Sequence, residues 1–175
     1  MTATRPHPER EAAEFERQVE HAAAAVPRQA VRRYKQILVA YNGSDHARAA
    51  LDRAAEVASP ESEITVITVI PFEAIGASPD PIKASDREWQ WNCLVDATAQ
   101  LRQLGIDPYI EAAAGNPAAV IADTAATLNA DLVILGNGHN RRWQPTLKRK
   151  PVRASLQRHL SCDALVVRAG SAEAA

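Results

Sequence analysis

Residues 63–70, reading Glu-Ile-Thr-Val-Ile-Thr-Val-Ile, limit the fold more than any other stretch of the chain. Successive side chains of a strand point to opposite faces, and here Ile64, Val66, Ile67, Val69 and Ile70 load both faces with hydrocarbon. Neither face can meet water, so the strand belongs in a parallel sheet covered by helices on both sides. Residues 37–40 and 131–135 have the same character. The first runs into Tyr41-Asn42-Gly43-Ser44 and the second into Gly136-Asn137-Gly138-His139. Parallel strands ending in such small, polar turns leave a crevice beyond their carboxyl ends, where open α/β sheets bind ligands.

The segments between the strands carry helical periodicity. Ser44 is placed to cap a helix over residues 44–58, with Ala47, Ala50, Leu51 and Ala54 on one face. A second helix is expected over 86–104, closed by Gly105, and a third over 118–128, with Asn116 as cap and Pro117 in the first turn. Residues 71–84, with Pro71, Gly76, Pro79 and Pro81, read as an irregular crossing. A weakly alternating third strand is expected over 106–113, a last helix over 152–160 and a last strand over 164–168. Five strands separated by helices or long crossovers give a three-layer α/β sandwich. This domain is expected over residues 34–170, followed by a disordered tail at 171–175. Residues 1–33 are expected to form a helical extension, since Ala12, Phe15, Val19, Ala22 and Val26 recur as one narrow stripe.

Composition excludes several classes. No apolar run is long enough to cross a bilayer, and the first 35 residues are too charged for a signal-peptide core, so a cytoplasmic location is expected. Only two cysteines are present, Cys93 and Cys162, far apart in sequence, which reads as buried thiols instead of a disulfide. The five histidines show no metal-ligand spacing with each other or with the cysteines, so no metal site is expected. Net charge is −1, yet its distribution is uneven. Between Asp131 and Asp163 there is no acidic residue, while Arg141, Arg142, Lys148, Arg149, Lys150, Arg153 and Arg158 all fall there. That loop points to an anionic ligand.

Three stretches, taken in order, resemble the universal stress protein family: KQILVAYNGSDHARAAL at 35–51, GNPAAVIADTAATLNADLVILG at 115–136 and CDALVV at 162–167. The resemblance implies a Rossmann-like, adenine nucleotide alpha hydrolase-like fold with strand order 3-2-1-4-5. It also implies homodimers paired through the last strand at Leu165, Val166 and Val167, and ATP held between the first and fourth strands. The implied crevice takes in Ala40, Tyr41 and Asn42, Ile70, then Gly136, Gly138 and His139, and finally Lys150, Pro151, Val152 and Arg153. This chain departs from the family's pattern at four of these positions. Asn42 stands where binding members have an acidic residue, His139 replaces the second glycine of the phosphate loop, and Lys150-Pro151 replaces its final Gly-Ser. Proline removes an amide donor, and glycine alone allows the closest approach to phosphate. Lys148, Arg149, Lys150 and Arg153 bring charge to the same place, and charge-assisted bonds to phosphate are the stronger kind.

Enzyme chemistry has little support. Ser44 lacks a nucleophile elbow and reads as a cap, no general base stands at Asn42, and the Ser-Gly-Gly-x-Asp-Ser loop of ATP pyrophosphatases is missing after residues 37–40. His46 is expected to face solvent. Trp89 and Trp91 lie on different helix faces, so one should be buried. The expected function is a non-catalytic module with a crevice for ATP or a related adenine nucleotide, its binding weakened or lost through the substitutions. The alternative is a protein-interaction module that binds no nucleotide and uses the N-terminal helix or the basic loop around Trp143. A nucleic-acid partner would require that same loop to stack bases and hold phosphates.

Overall fold

Ile37, Leu38 and Val39 are each 2% exposed or less, and this enclosure on both sides makes residues 34–40 the centre of the sheet. The computed structural model describes residues 34–71, 82–137, 156 and 159–169. Along them run β1 (Tyr34–Ala40), α1 (Asp45–Val57), β2 (Ala58–Pro71), α2 (Ala84–Gln103), β3 (Tyr109–Gly115), α3 (Pro117–Thr127), β4 (Leu132–Gly136) and β5 (Asp163–Val167). The strands form one five-stranded sheet in the order β3-β2-β1-β4-β5. All four pairings are parallel, and Ala40 at the end of β1 stands level with Ile67 of β2 and Leu135 of β4.

Alternation along β1 divides the core in two. Ile37, Val39 and Tyr41 pack beneath α1 and α2 with Ala47, Ala50, Leu51, Ala54, Leu94, Ala97 and Leu101. Leu38 faces the other way and meets Ile67, Val133, Leu135, Ile121 and Ala125 of α3, and Leu156. Three of the four buried residues of α1 are alanines, which lets the helix backbone approach the sheet closely.

Local signals explain most boundaries. Ser44 Oγ accepts from the Ala47 N–H, and Asn116 Oδ1 accepts from the amides of Ala118 and Ala119 with Pro117 in the first turn. Replacing Asn116 by Ala removes that acceptor, and urea unfolding is expected to show a loss of about 1 kcal/mol. The end of α2 delays β3 by three residues relative to the sequence expectation. There the Gly105 amide donates to Arg102 and the Ile106 amide to Leu101, a paired exit that places Gly105 at φ +80°. Residues 106–108 are spent on that exit, so pairing starts at Tyr109. In the opposite sense, β2 starts earlier than expected, directly after α1. Its first turn is held by Ser62 Oγ, which accepts from the Ser59 amide and donates to the Tyr34 carbonyl at 2.5 Å, and the register of β1 and β2 shifts there.

Trp89 packs on the first core while Trp91 is 59% exposed, so the two tryptophans divide as expected. No helix among the described residues is long and apolar enough to cross a membrane. The N-terminal extension, most of the crossing after Pro71, the basic loop with Trp143, the last helix apart from Leu156, His159 and Leu160, and the tail lie outside the described residues.

Candidate functional site

From β1 the chain moves through α1 to β2 on one side, whereas β4 lies on the other side of β1, so the strand order reverses between β1 and β4. At such a switch point the loops leave in opposite directions and open a crevice at the strand ends. Asn42, Gly43 and Ser44 form one wall. Asn42 Oδ1 accepts from the Ser44 amide at 3.2 Å, a local turn that leads straight into the helix cap. Gly43 has φ +74°, which a residue with a β-carbon adopts only under strain, and a β-carbon there would also stand 3.2 Å from Cys93 Sγ. The N-terminus of α1 therefore points at the crevice, with its dipole favouring an anion.

The opposite wall starts at Gly136. A β-carbon on this residue would lie 2.5 to 2.6 Å from His46 C, His46 O and Ala47 N. The first turn of α1 thus occupies the space beside Gly136, and the glycine is required by the packing of α1 on β4. Its neighbour Asn137 donates its amide to the Val167 carbonyl at 2.7 Å, which ties the exit of β4 to β5. His46 differs from its expected exposure. It is half-buried, and its Nδ1 accepts from the Ala169 amide at 2.8 Å, fastening the first turn of α1 to the chain leaving β5.

Of the residues expected in the crevice, Ala40, Tyr41, Asn42, Ile70 and Gly136 are described. Asn42 and Gly136 lie at the switch point, and Ala40 packs on the second core. Ile70 is fully enclosed, and Tyr41 is 2% exposed with its ring in the first core, so neither side chain forms part of an open wall. Both main-chain groups of Tyr41 are also engaged, its amide with the Ile67 carbonyl and its carbonyl with the Thr68 hydroxyl. Gly138, His139, Lys150, Pro151, Val152 and Arg153 lie outside the described residues.

The Tyr41 phenol donates to Asp96 Oδ2 at 2.5 Å, and Arg48 bridges to the same carboxylate at 2.7 Å. Burial first, then the bond to Asp96 and its negative charge, hold the phenol well above the ordinary tyrosine range. The sign follows directly. An unfolded tyrosine releases its proton near pH ~10, while folded Tyr41 keeps it, so this contribution to stability is complete below that pH and is lost as pH rises further. Against a Tyr41→Phe variant, which cancels the other titrations, the stability advantage of the wild type should shrink above about pH 10. Unfolding in urea at a series of alkaline pH values checks it, and a constant difference contradicts the assignment.

The other end of the sheet carries a separate network. Asp131 accepts from the amides of Lys35 and Gln36, and Tyr34 donates to Asp163. Burial and then the charges of Asp163 and Asp131 push the Cys162 thiol upward, which disfavours the reactive thiolate. Neither the buried Cys93 nor the half-buried Cys162 is in a disulfide. No group of His, Cys, Asp and Glu among the described residues could hold a metal ion.

Sequence reading missed the supports of the crevice. Gln90 donates to the carbonyls of Thr68 and Ala113 at 2.7 and 2.8 Å, and Thr68 donates to Tyr41. The available signal was a buried stripe on α2, Asp86, Gln90, Cys93, Leu94, Ala97 and Leu101, with two polar members at its N-terminal end. No local signal marks Arg48 and Asp96 as partners.

The family model of the universal stress protein family matches residues 33–168. A search of curated proteins found no match. Among solved structures, the chain is similar to a universal stress protein family member from Burkholderia pseudomallei, at 25% identity and TM-score 0.57, covering 77% of this chain and 96% of that one. It is also similar to the universal stress protein from Archaeoglobus fulgidus in complex with dAMP, at 21% identity and TM-score 0.60, covering 77% of this chain and 98% of that one. A third is the family protein from Arabidopsis thaliana with AMP bound, at 17% identity and TM-score 0.58, covering 79% and 94%.

Proposed function

Because this chain belongs to the universal stress protein family, we propose that it is a non-catalytic cytoplasmic module that binds ATP or a related adenine nucleotide in the crevice between β1 and β4. The observation that carries the reading is the meeting of the Asn42-Gly43-Ser44 turn, the N-terminus of α1 and Gly136 at the switch point of the sheet. Two proteins of the same fold, solved with dAMP and with AMP, support the adenine nucleotide as ligand class. The phosphates would be met by the basic loop, through Lys148, Arg149, Lys150 and Arg153, in place of a glycine cradle. Dimerisation through Leu165, Val166 and Val167 belongs to the same reading, supported by the position of β5 at the edge of the sheet.

Titration calorimetry of magnesium ATP into the purified chain, at two salt concentrations, tests the proposal. Saturable binding of one nucleotide per chain that weakens with salt is the expected result. The second reading is a protein-interaction module, favoured by Trp91 and Val95, which lie one turn apart on α2 and are 59% and 51% exposed. No heat and no thermal stabilisation by ATP would replace the first reading with this one.

A further inference from the structure

We propose that Tyr41, Asp96 and Arg48 form a brace by which α2 holds the turn between β1 and α1 in its binding shape, which makes Tyr41 a positioning residue for the nucleotide. The inference rests on the crevice assigned above, although the brace has consequences that need no ligand.

Tyr41 is the last residue before the Asn42-Gly43-Ser44 turn, and all its polar groups are engaged. Its amide donates to Ile67 at 2.9 Å, its carbonyl accepts from Thr68 at 3.0 Å and its phenol donates to Asp96 at 2.5 Å. The carboxylate of Asp96 also receives both terminal nitrogens of Arg48, at 2.7 and 3.2 Å. Arg48 is the fourth residue of α1, so one side chain of α2 grips both ends of the turn at once.

On α2, Gln90, Cys93, Asp96 and Gln100 recur at spacings of three and four, along one side of the helix. Each makes its own contacts, and two of them share Arg48. Gln90 reaches the carbonyls at the ends of β2 and β3, and Cys93 Sγ lies 3.2 Å from where a β-carbon of Gly43 would stand. Asp96 takes Tyr41 and Arg48, and Gln100 donates to the Arg48 carbonyl and to Asp52. The Arg48 and Asp96 side chains are 47% and 39% exposed, and ion pairs this open add little to global stability. What the arrangement supplies is geometry. Without the phenol bond, Arg48 still joins α1 to Asp96, but the residue that leads into the turn loses its hydrogen bond to α2.

The test compares Tyr41→Phe, Asp96→Ala, Asp96→Asn and the Tyr41→Phe/Asp96→Ala double variant. Amide hydrogen exchange of residues 43–47 is read without ligand, and ATP affinity by calorimetry. Ile121→Val, a core change on the opposite face of the sheet, serves as a control of reduced stability. Tyr41→Phe and Asp96→Ala should each speed exchange at 43–47 by about fivefold and weaken ATP by about fivefold, as loss of one hydrogen bond predicts. The double variant should be no worse than Asp96→Ala alone, because removing the carboxylate already removes the bond that Tyr41 makes. Asp96→Asn retains an oxygen that accepts from the phenol and should keep most of the wild-type behaviour. Exchange at 43–47 in Tyr41→Phe equal to that in Ile121→Val overturns the brace, as does unchanged ATP affinity in a variant whose turn has loosened. Failure of the wild type to bind ATP overturns the crevice reading instead, and the ligand-free exchange data tell the two failures apart.

Discussion

Replacing Gly136 by Ala should lower the stability of the domain by about 3 kcal/mol, at the upper end for a small-to-large change in a packed site. The reason is the kind of atom the new methyl meets. His46 C, His46 O and Ala47 N are main-chain atoms of the first turn of α1, 2.5 to 2.6 Å from the new carbon. No side-chain rotation relieves them, so the helix start itself must move. That start carries the Ser44 cap and the His46 bond to Ala169, so the displacement spreads to the exit of β5. Thermal unfolding should show a midpoint lower by about 10 °C for a domain of this size. Gly105→Ala provides the contrast. Its φ of +80° makes alanine strained, but nothing lies within 4 Å of the added carbon, so only the backbone term of about 1 to 2 kcal/mol applies. A Gly136→Ala variant no less stable than Gly105→Ala would contradict the packing role of Gly136.

The second large effect is on binding. If the basic loop replaces the glycine cradle, the double charge reversal Arg149→Glu/Lys150→Glu should weaken ATP at least about 100-fold, since two charge-assisted bonds to phosphate are removed and repulsion is added. The variant should fold normally, with an unfolding midpoint near that of the wild type. Calorimetry at low salt gives the widest contrast, because screening weakens the wild-type interaction as ionic strength rises. Wild-type affinity in the double variant would sink the role of these two residues while leaving open a site built on the α1 N-terminus alone.

The first prediction concerns a glycine that stands out in the sequence, but for a different reason than the sequence suggested. Gly136 matches a family glycine whose expected service is close approach to a phosphate, whereas its surroundings are filled by the chain's own helix. His46 carries no pattern at all, and its role comes from Ala169, just past β5 and 123 residues later in the chain. Tyr41 was expected at the crevice, yet alternation along β1 puts its ring with Ile37 and Val39 on the helix-covered side.

What the sequence determined by itself is the set of layers. Hydrophobic runs loaded on both faces at 37–40, 63–70 and 131–135 force a buried parallel sheet, and the caps Ser44 and Asn116 and the stop at Gly105 place the helices between them. These signals are local, since each acts within one turn or one strand. The tertiary structure alone decided which residues meet across the switch point. Asp96 and Tyr41 are 55 residues apart, and His46 and Ala169 are 123 apart. Such pairs arise when a right-handed crossover lays one helix beside another over the sheet, and no periodicity within either segment records the neighbour it will find.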